Sequence, residues 1–197
     1  MTDIEICNRA LHLLGHDREI TSLFETGEDG AYTDASTEAV RCRQFYGAAV
    51  KDCLAAHDWD FAAEEKVLSP VTPDAFGWVV VAMPEEALRL IVVRDGEGNP
   101  YKTERNSRRL RVRTFGRGCV MRYVRNEVEA EEMPHKFCEA VIAQLAFLLA
   151  GPMFGDDSKT NNFYQLAQNR ISDAITKETD ETAYRGEWDN PFIRSRR

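Results

Sequence analysis

The sequence predicts an α+β fold, mainly α: a helical bundle built from both chain ends, a small antiparallel β-sheet inserted between them, and an extended C-terminal tail. Apolar residues recur at helical spacing near both ends, and the middle of the chain turns to short valine- and arginine-rich runs cut by glycine turns. The last residues follow no period at all. With 197 residues the chain suffices for one ordinary domain, set here at 1–181, followed by an arm at 182–197.

The first helix is expected over 3–15, with Ile6, Ala10, Leu13 and Leu14 on one stripe, Thr2 or Asp3 as N-cap and Gly15 as its stop. His16 to Tyr32 is polar and glycine-broken and reads as a surface loop. A second helix is expected over 34–62, its stripe of Val40, Phe45, Ala49, Cys53 and Ala56 being regular as far as Ala56. Ser69-Pro70-Val71-Thr72-Pro73 then ends helical structure.

A β insertion is expected over 78–125. In Arg109-Leu110-Arg111-Val112-Arg113 the alternation places Leu110 and Val112 on a core and Arg109, Arg111 and Arg113 together on the opposite face. A third helix, 134–150, opens behind Pro134 and ends at Gly151-Pro152; it is apolar nearly all round and therefore central. The fourth, 158–179, is its partner, burying Phe163, Leu166, Ala167, Ile171, Ala174 and Ile175.

Composition excludes several classes. At 43% hydrophobic and 29% charged the chain is an ordinary folded one. No run approaches the roughly 20 continuous apolar residues of a membrane span. The first residues lack the features of a secretory signal, so a cytoplasm-compatible protein without a membrane anchor is expected. Five scattered cysteines (Cys7, Cys42, Cys53, Cys119, Cys138) form no CxxC pair and read as small core residues, so no metal site and no cofactor is predicted. The net charge of −8 is uneven: the first seventy residues hold most of the acidic excess, and Arg105 to Arg125 is strongly basic. An acidic face of one copy meeting a basic face of the next would use that asymmetry.

No catalytic residue is predicted. His57-Asp58-Trp59-Asp60 is the most enzyme-like cluster, yet neighbouring residues on a helix diverge and no nucleophile accompanies them. Glu64-Glu65 and Asp156-Asp157 are the kind of pair that a chain with 33 acidic residues contains by chance. Gly116-Arg117-Gly118 is too short for a phosphate loop. The arginine row favours a neighbouring subunit over DNA, since the chain is acidic overall and no aromatic platform is evident on the same face. In the arm, Tyr184, Trp188, Phe192, Ile193 and Arg194 are the residue types of docking anchors.

Ile6-Cys7-Asn8-Arg9-Ala10-Leu11 with Leu14-Gly15, then Ile20-Thr21-Ser22-Leu23, resembles the opening helix and turn of the tail tubular protein A and packaged-DNA-stabilising adaptor families of tailed phages. Arg41-Cys42, Tyr46 to Leu54 and His57, Trp59 to Ala62 are similar to the family's second helix. Met83-Pro84 with Leu88-Arg89-Leu90 resembles the start of its sheet, and Met121-Arg122-Tyr123 resembles its last strand. Phe137, Ala140, Leu145 and Ala150-Gly151-Pro152 follow in the family's order. Val79-Val80-Val81-Ala82 departs from it where members carry an aromatic.

The resemblance implies a virion protein of the head–tail junction, assembled in the host cytoplasm. It would form a ring of twelve copies below the portal protein, hold downstream tail or nozzle proteins, and surround DNA that passes without sequence-specific binding. In it the arm 182–197 would contact the portal, and Arg109, Arg111 and Arg113 would lie at a subunit interface. An acidic bore would let DNA slide. The alternatives from other classes are a virion-associated peptidoglycan-degrading enzyme and a DNA-binding protein.

Overall fold

A computed structural model describes residues 1–28, 30–68, 74–95, 98–106, 109–113, 119–155 and 157–188, with 104–106, 113 and 182–188 described by backbone alone. The fold is α+β and mainly α. It divides into two compact units: Met1–His57 joined by the chain from Glu129 onward, and Asp58–Val128. The inserted segment is thus a unit with its own core.

In the first unit, helix α1 (Asp3–Leu13) starts with a capping box. The Glu5 amide donates to Thr2 Oγ1 at 3.2 Å and the Thr2 amide to Glu5 Oε2 at 2.9 Å, which satisfies two end donors reciprocally. Gly15, at φ +79°, takes the left-handed turn that ends it. Asn8 then ties the following loop back: its amide oxygen accepts from the Ile20 amide at 2.8 Å and its amide nitrogen donates to the Ile20 carbonyl at 3.1 Å. Ile20 and Leu23 are buried under this clamp, which is a physical reason for pairing Asn8 with Ile20-Thr21-Ser22-Leu23.

Helix α2 (Thr37–Ala56) is shorter than the expected 34–62. Asp34 stands before the helix, its carboxylate accepting from the Thr21 and Ser36 amides at 2.9 Å each, and Ser36 Oγ caps the Ala39 amide. At the other end His57 turns extended, and Asp60–Ala62 form a separate 3-10 turn.

Helix α3 (His135–Phe154) packs against α1, α2 and α4. By length and composition it is apolar enough to cross a bilayer, contrary to the expectation from uninterrupted runs; here most of its apolar surface is buried within the bundle. Its one buried polar side chain, Gln144, donates to Asp52 on α2 at 2.8 Å. The helix runs through Gly151 and Pro152, four residues past its expected end. Proline removes one bond near a terminus where few remain, and it is left-handed Gly155 that closes the helix.

Helix α4 (Asp157–Trp188) also exceeds its expected end at 179. Thr182 to Trp188 carry no apolar stripe, but no proline interrupts them before Pro191, and Gly186 costs a helix only about 1 kcal/mol. The 32-residue α4 outruns the 20-residue α3 by a dozen residues, about 18 Å at 1.5 Å per residue.

The second unit holds two three-stranded antiparallel sheets where one sheet was expected. Strands β1 (Ala63–Leu68), β6 (Cys119–Arg125) and β3 (Ala87–Asp95) form one in the order β1-β6-β3; β2 (Trp78–Ala82), β5 (Arg109–Arg113) and β4 (Thr103–Asn106) form the other as β2-β5-β4. The β structure therefore begins at Ala63, ahead of the expected 78. Strand β1 shows no apolar alternation because it is an edge strand whose Glu64, Glu65, Lys66 and Val67 are all exposed, and its charges discourage further pairing. Val93, Met121 and Tyr123 of the first sheet and Leu110 and Val112 of the second bury one shared core with Met83 and Ala87.

Candidate interaction surfaces

The arginine row lies where alternation placed it. Leu110 and Val112 are fully buried while Arg109 and Arg111 are exposed; Arg113 holds the next outward register position on the backbone. Strand β2 completes the face: Ala82 stands opposite Arg109, Val80 opposite Arg111 and Trp78 opposite Arg113. Directly opposed residues share a face, so an aromatic does lie beside the arginines. Its absence from the sequence reading reflects the 30-odd residues that separate strands paired only in the fold. The Arg111 guanidinium sits 5.0 Å over the Trp78 ring, and Val80 is 57% exposed.

This face is bounded by Asp74, whose carboxylate accepts from the Phe76 and Trp78 amides at 2.9 Å each. The Trp78 amide, the Phe76 amide and the nearby charge of Arg111 hold that carboxyl below its usual range. Asp74 is thereby a fixed negative charge at the rim. Between Arg105 and Arg125 the chain carries eight arginines and no carboxylate.

The opposite charge gathers in the first unit. Between His16 and Ser36 stand six carboxylates and one arginine. They lie in the loop before α2; α2 itself sets Glu38 and Asp52 against Arg41, Arg43 and Lys51. Within the loop a short hairpin is pinned by a Thr26–Tyr32 bridge and by the Gly27 amide donating to the Ala31 carbonyl at 2.8 Å. Glu25 and Glu28 are exposed on it, beside Phe24 (53% exposed) and Tyr32 (50%). Arg43 anchors the hairpin to α2, stacking 4.3 Å over the Tyr32 ring and donating to the Leu23 and Asp34 carbonyls at 2.9 and 2.8 Å.

The enzyme-like cluster resolves into packing and ion pairs. Trp59 is buried and meets the Phe61 ring at 6.1 Å, while Asp58 pairs with Arg89 at 3.1 Å and Asp60 with Arg122 at 2.7 Å. Glu65 pairs with Arg94, so it too is held by a cation. Burial, with the carboxylates of Glu64 and Glu86 adding, pushes the Tyr123 phenol up to about 12. Its hydroxyl donates to Glu86 at 3.2 Å and stays protonated.

All five cysteines are buried and reduced. The neighbouring Cys42 thiol on α2, together with burial, holds the Cys7 thiol on α1 far above its ordinary value. Burial raises Cys53 and Cys138 as well. Among the described residues no group of three histidines, cysteines or carboxylates is placed to hold a metal ion.

A cleft of about 430 Å³ opens between α1, α3 and α4, lined by Arg9, His12, Glu139 and Arg170 over Leu13 and Ile142. Arg9 and Glu139 pair across it, so its charges are partly matched internally. Of the expected docking anchors, Tyr184 and Trp188 stand on the backbone of α4, as part of a helix and not of an irregular tail. Phe192, Ile193 and Arg194 lie outside the described residues, as do Ser69 to Pro73, Asp156 and Gly116-Arg117-Gly118. No family model matches the chain, and no curated protein matches it significantly.

Proposed function

We propose that the chain is a structural subunit of the head-to-tail connector of a tailed phage, one of twelve copies in a ring below the portal that joins head to tail around the DNA channel. The observation that carries this reading is the segregation of charge between the two compact units. Six carboxylates of one loop lie on the first, and an arginine row with exposed apolar neighbours lies on the second. Opposite patches on one chain are what head-to-tail association between identical copies requires. The order of the resembling motifs supports it further, since Asn8 with Ile20, Trp59 under its flanking acids, and α3 each have a structural role here.

Electron microscopy of the purified protein with and without a portal tests the proposal. The expected result is largely monomeric protein alone and rings on the portal, because uncontrolled ring growth would withdraw subunits from assembly. Protein that neither associates nor decorates a portal would refute it.

A second reading, a DNA-binding protein, is favoured by one observation: Trp78 on the arginine face combines stacking and charge, as single-strand binders do. It predicts a salt-dependent gel shift of free DNA. A flat titration at low salt removes it.

A further inference from the structure

The most asymmetric patches of the chain match each other in charge and also in apolar content. The face of β2 and β5 offers Arg109 and Arg111 around exposed Val80, with Trp78 held under Arg111. The hairpin before α2 offers Glu25 and Glu28 between exposed Phe24 and Tyr32. Arginine and aromatic side chains are the residues in which binding energy concentrates at interfaces, and each is pre-positioned here: Trp78 by Arg111, Tyr32 by Arg43. Pre-positioning lowers the ordering cost of association.

From this we infer that the Phe24–Tyr32 hairpin of one copy docks on the Trp78–Val80–Arg109–Arg111 sheet face of the next copy. The inference rests on the connector reading and deepens it by naming the surfaces through which copies join. Each copy then presents one donor patch and one acceptor patch. Such a heterologous contact propagates around a ring when its rotation closes.

A polyanion is the less suited occupant. The chain is net −8, Asp74 sits ionised at the rim beside Arg111, and the register places Glu104 of β4 opposite Arg111. An acidic hairpin can avoid Asp74 by placement, whereas a continuous phosphate backbone presents charge everywhere. Val80, at 57% exposed, also gains nothing from a phosphate and is covered by an aromatic.

Three variants of the full chain test the inference. The first carries R109E and R111E, the second E25R and E28R, and the third all four. Two readouts are taken: rings on the portal by electron microscopy, and self-association without portal by sedimentation, at concentrations raised above the monomeric range until the wild type associates. Either reversal alone is expected to weaken association at least tenfold, and the fourfold variant is expected to recover most of it, which a folding defect would not produce. Rings that form normally in every variant overturn this interface and leave the connector reading standing. Self-association lost and restored by the reversals, in a protein that never decorates a portal, supports the interface while the connector reading fails. Normal association in R109E/R111E together with loss of a wild-type DNA gel shift assigns the face to nucleic acid and overturns the inference.

Discussion

Single side chains in this protein act mostly as clasps. Asn8 holds the Ile20 backbone with both ends of its amide, and Asp34 gathers the loop before α2 through Thr21 and Ser36. Hydrogen bonds led by the Ser36 side chain, then the Thr21 and Ser36 amides, favour the ionised form and hold the Asp34 carboxyl well below its ordinary value of 3.8. The sign of the pH dependence follows. A carboxyl depressed in the folded state adds stability that is complete above its unfolded pKa and is lost as pH falls toward the folded one. Asp34→Asn is therefore expected to lower the urea midpoint near neutral pH, with the gap between wild type and variant narrowing only once pH falls below the ordinary value of 3.8. A gap between midpoints that is independent of pH would assign the effect to geometry and not to charge.

Among the elements, the α3–α4 pair shows how small residues set spacing. Ala167 and Ala174 are the buried positions of α4, and alanine there lets the helix lie close to an α3 that is itself rich in alanine. Replacing Ala167 with leucine inserts three carbons where no space exists and is expected to cost about 1–3 kcal/mol. Chemical denaturation measures it directly. The same substitution at Lys177, on the exposed side of the helix, is the control and is expected to change stability by less than about 0.5 kcal/mol. Strand β1 teaches the converse lesson: a strand built of Glu64, Glu65 and Lys66 has no apolar pattern to read, and only its pairing with β6 identifies it.

For assembly, the length of α4 matters most. Near its described end Lys177, Thr179, Asp180 and Glu181 are exposed, after the buried Ala167 and Ala174. Ending the chain after Thr182 removes Tyr184 and Trp188 with the residues beyond. Under the connector reading this is expected to leave the melting temperature within about 2 °C of the full chain, since little packed surface is lost, and to abolish attachment to the portal in a co-sedimentation assay. Attachment that survives truncation would exclude the arm as the docking element, and a large fall in melting temperature would mark it as part of the bundle.

The helices were legible because Ile6, Ala10, Val141, Leu145 and their kin repeat at a spacing that local backbone geometry imposes, and the Arg109–Arg113 alternation was legible for the same reason. Helix ends were read less well. Asp34, His57 and Gly155 decide them through hydrogen bonds and backbone angles that composition does not display. The candidate interface was half visible: the arginines and the acidic loop stand in the sequence, but Trp78 joins Arg111 only through pairing between β2 and β5, and the exposed pair Phe24 and Tyr32 only through the hairpin. Periodicity and charge are local properties of the chain. Which strands become neighbours, and which aromatics are left outside when the core closes, depends on contacts between residues distant in sequence, and those exist only once the protein has folded.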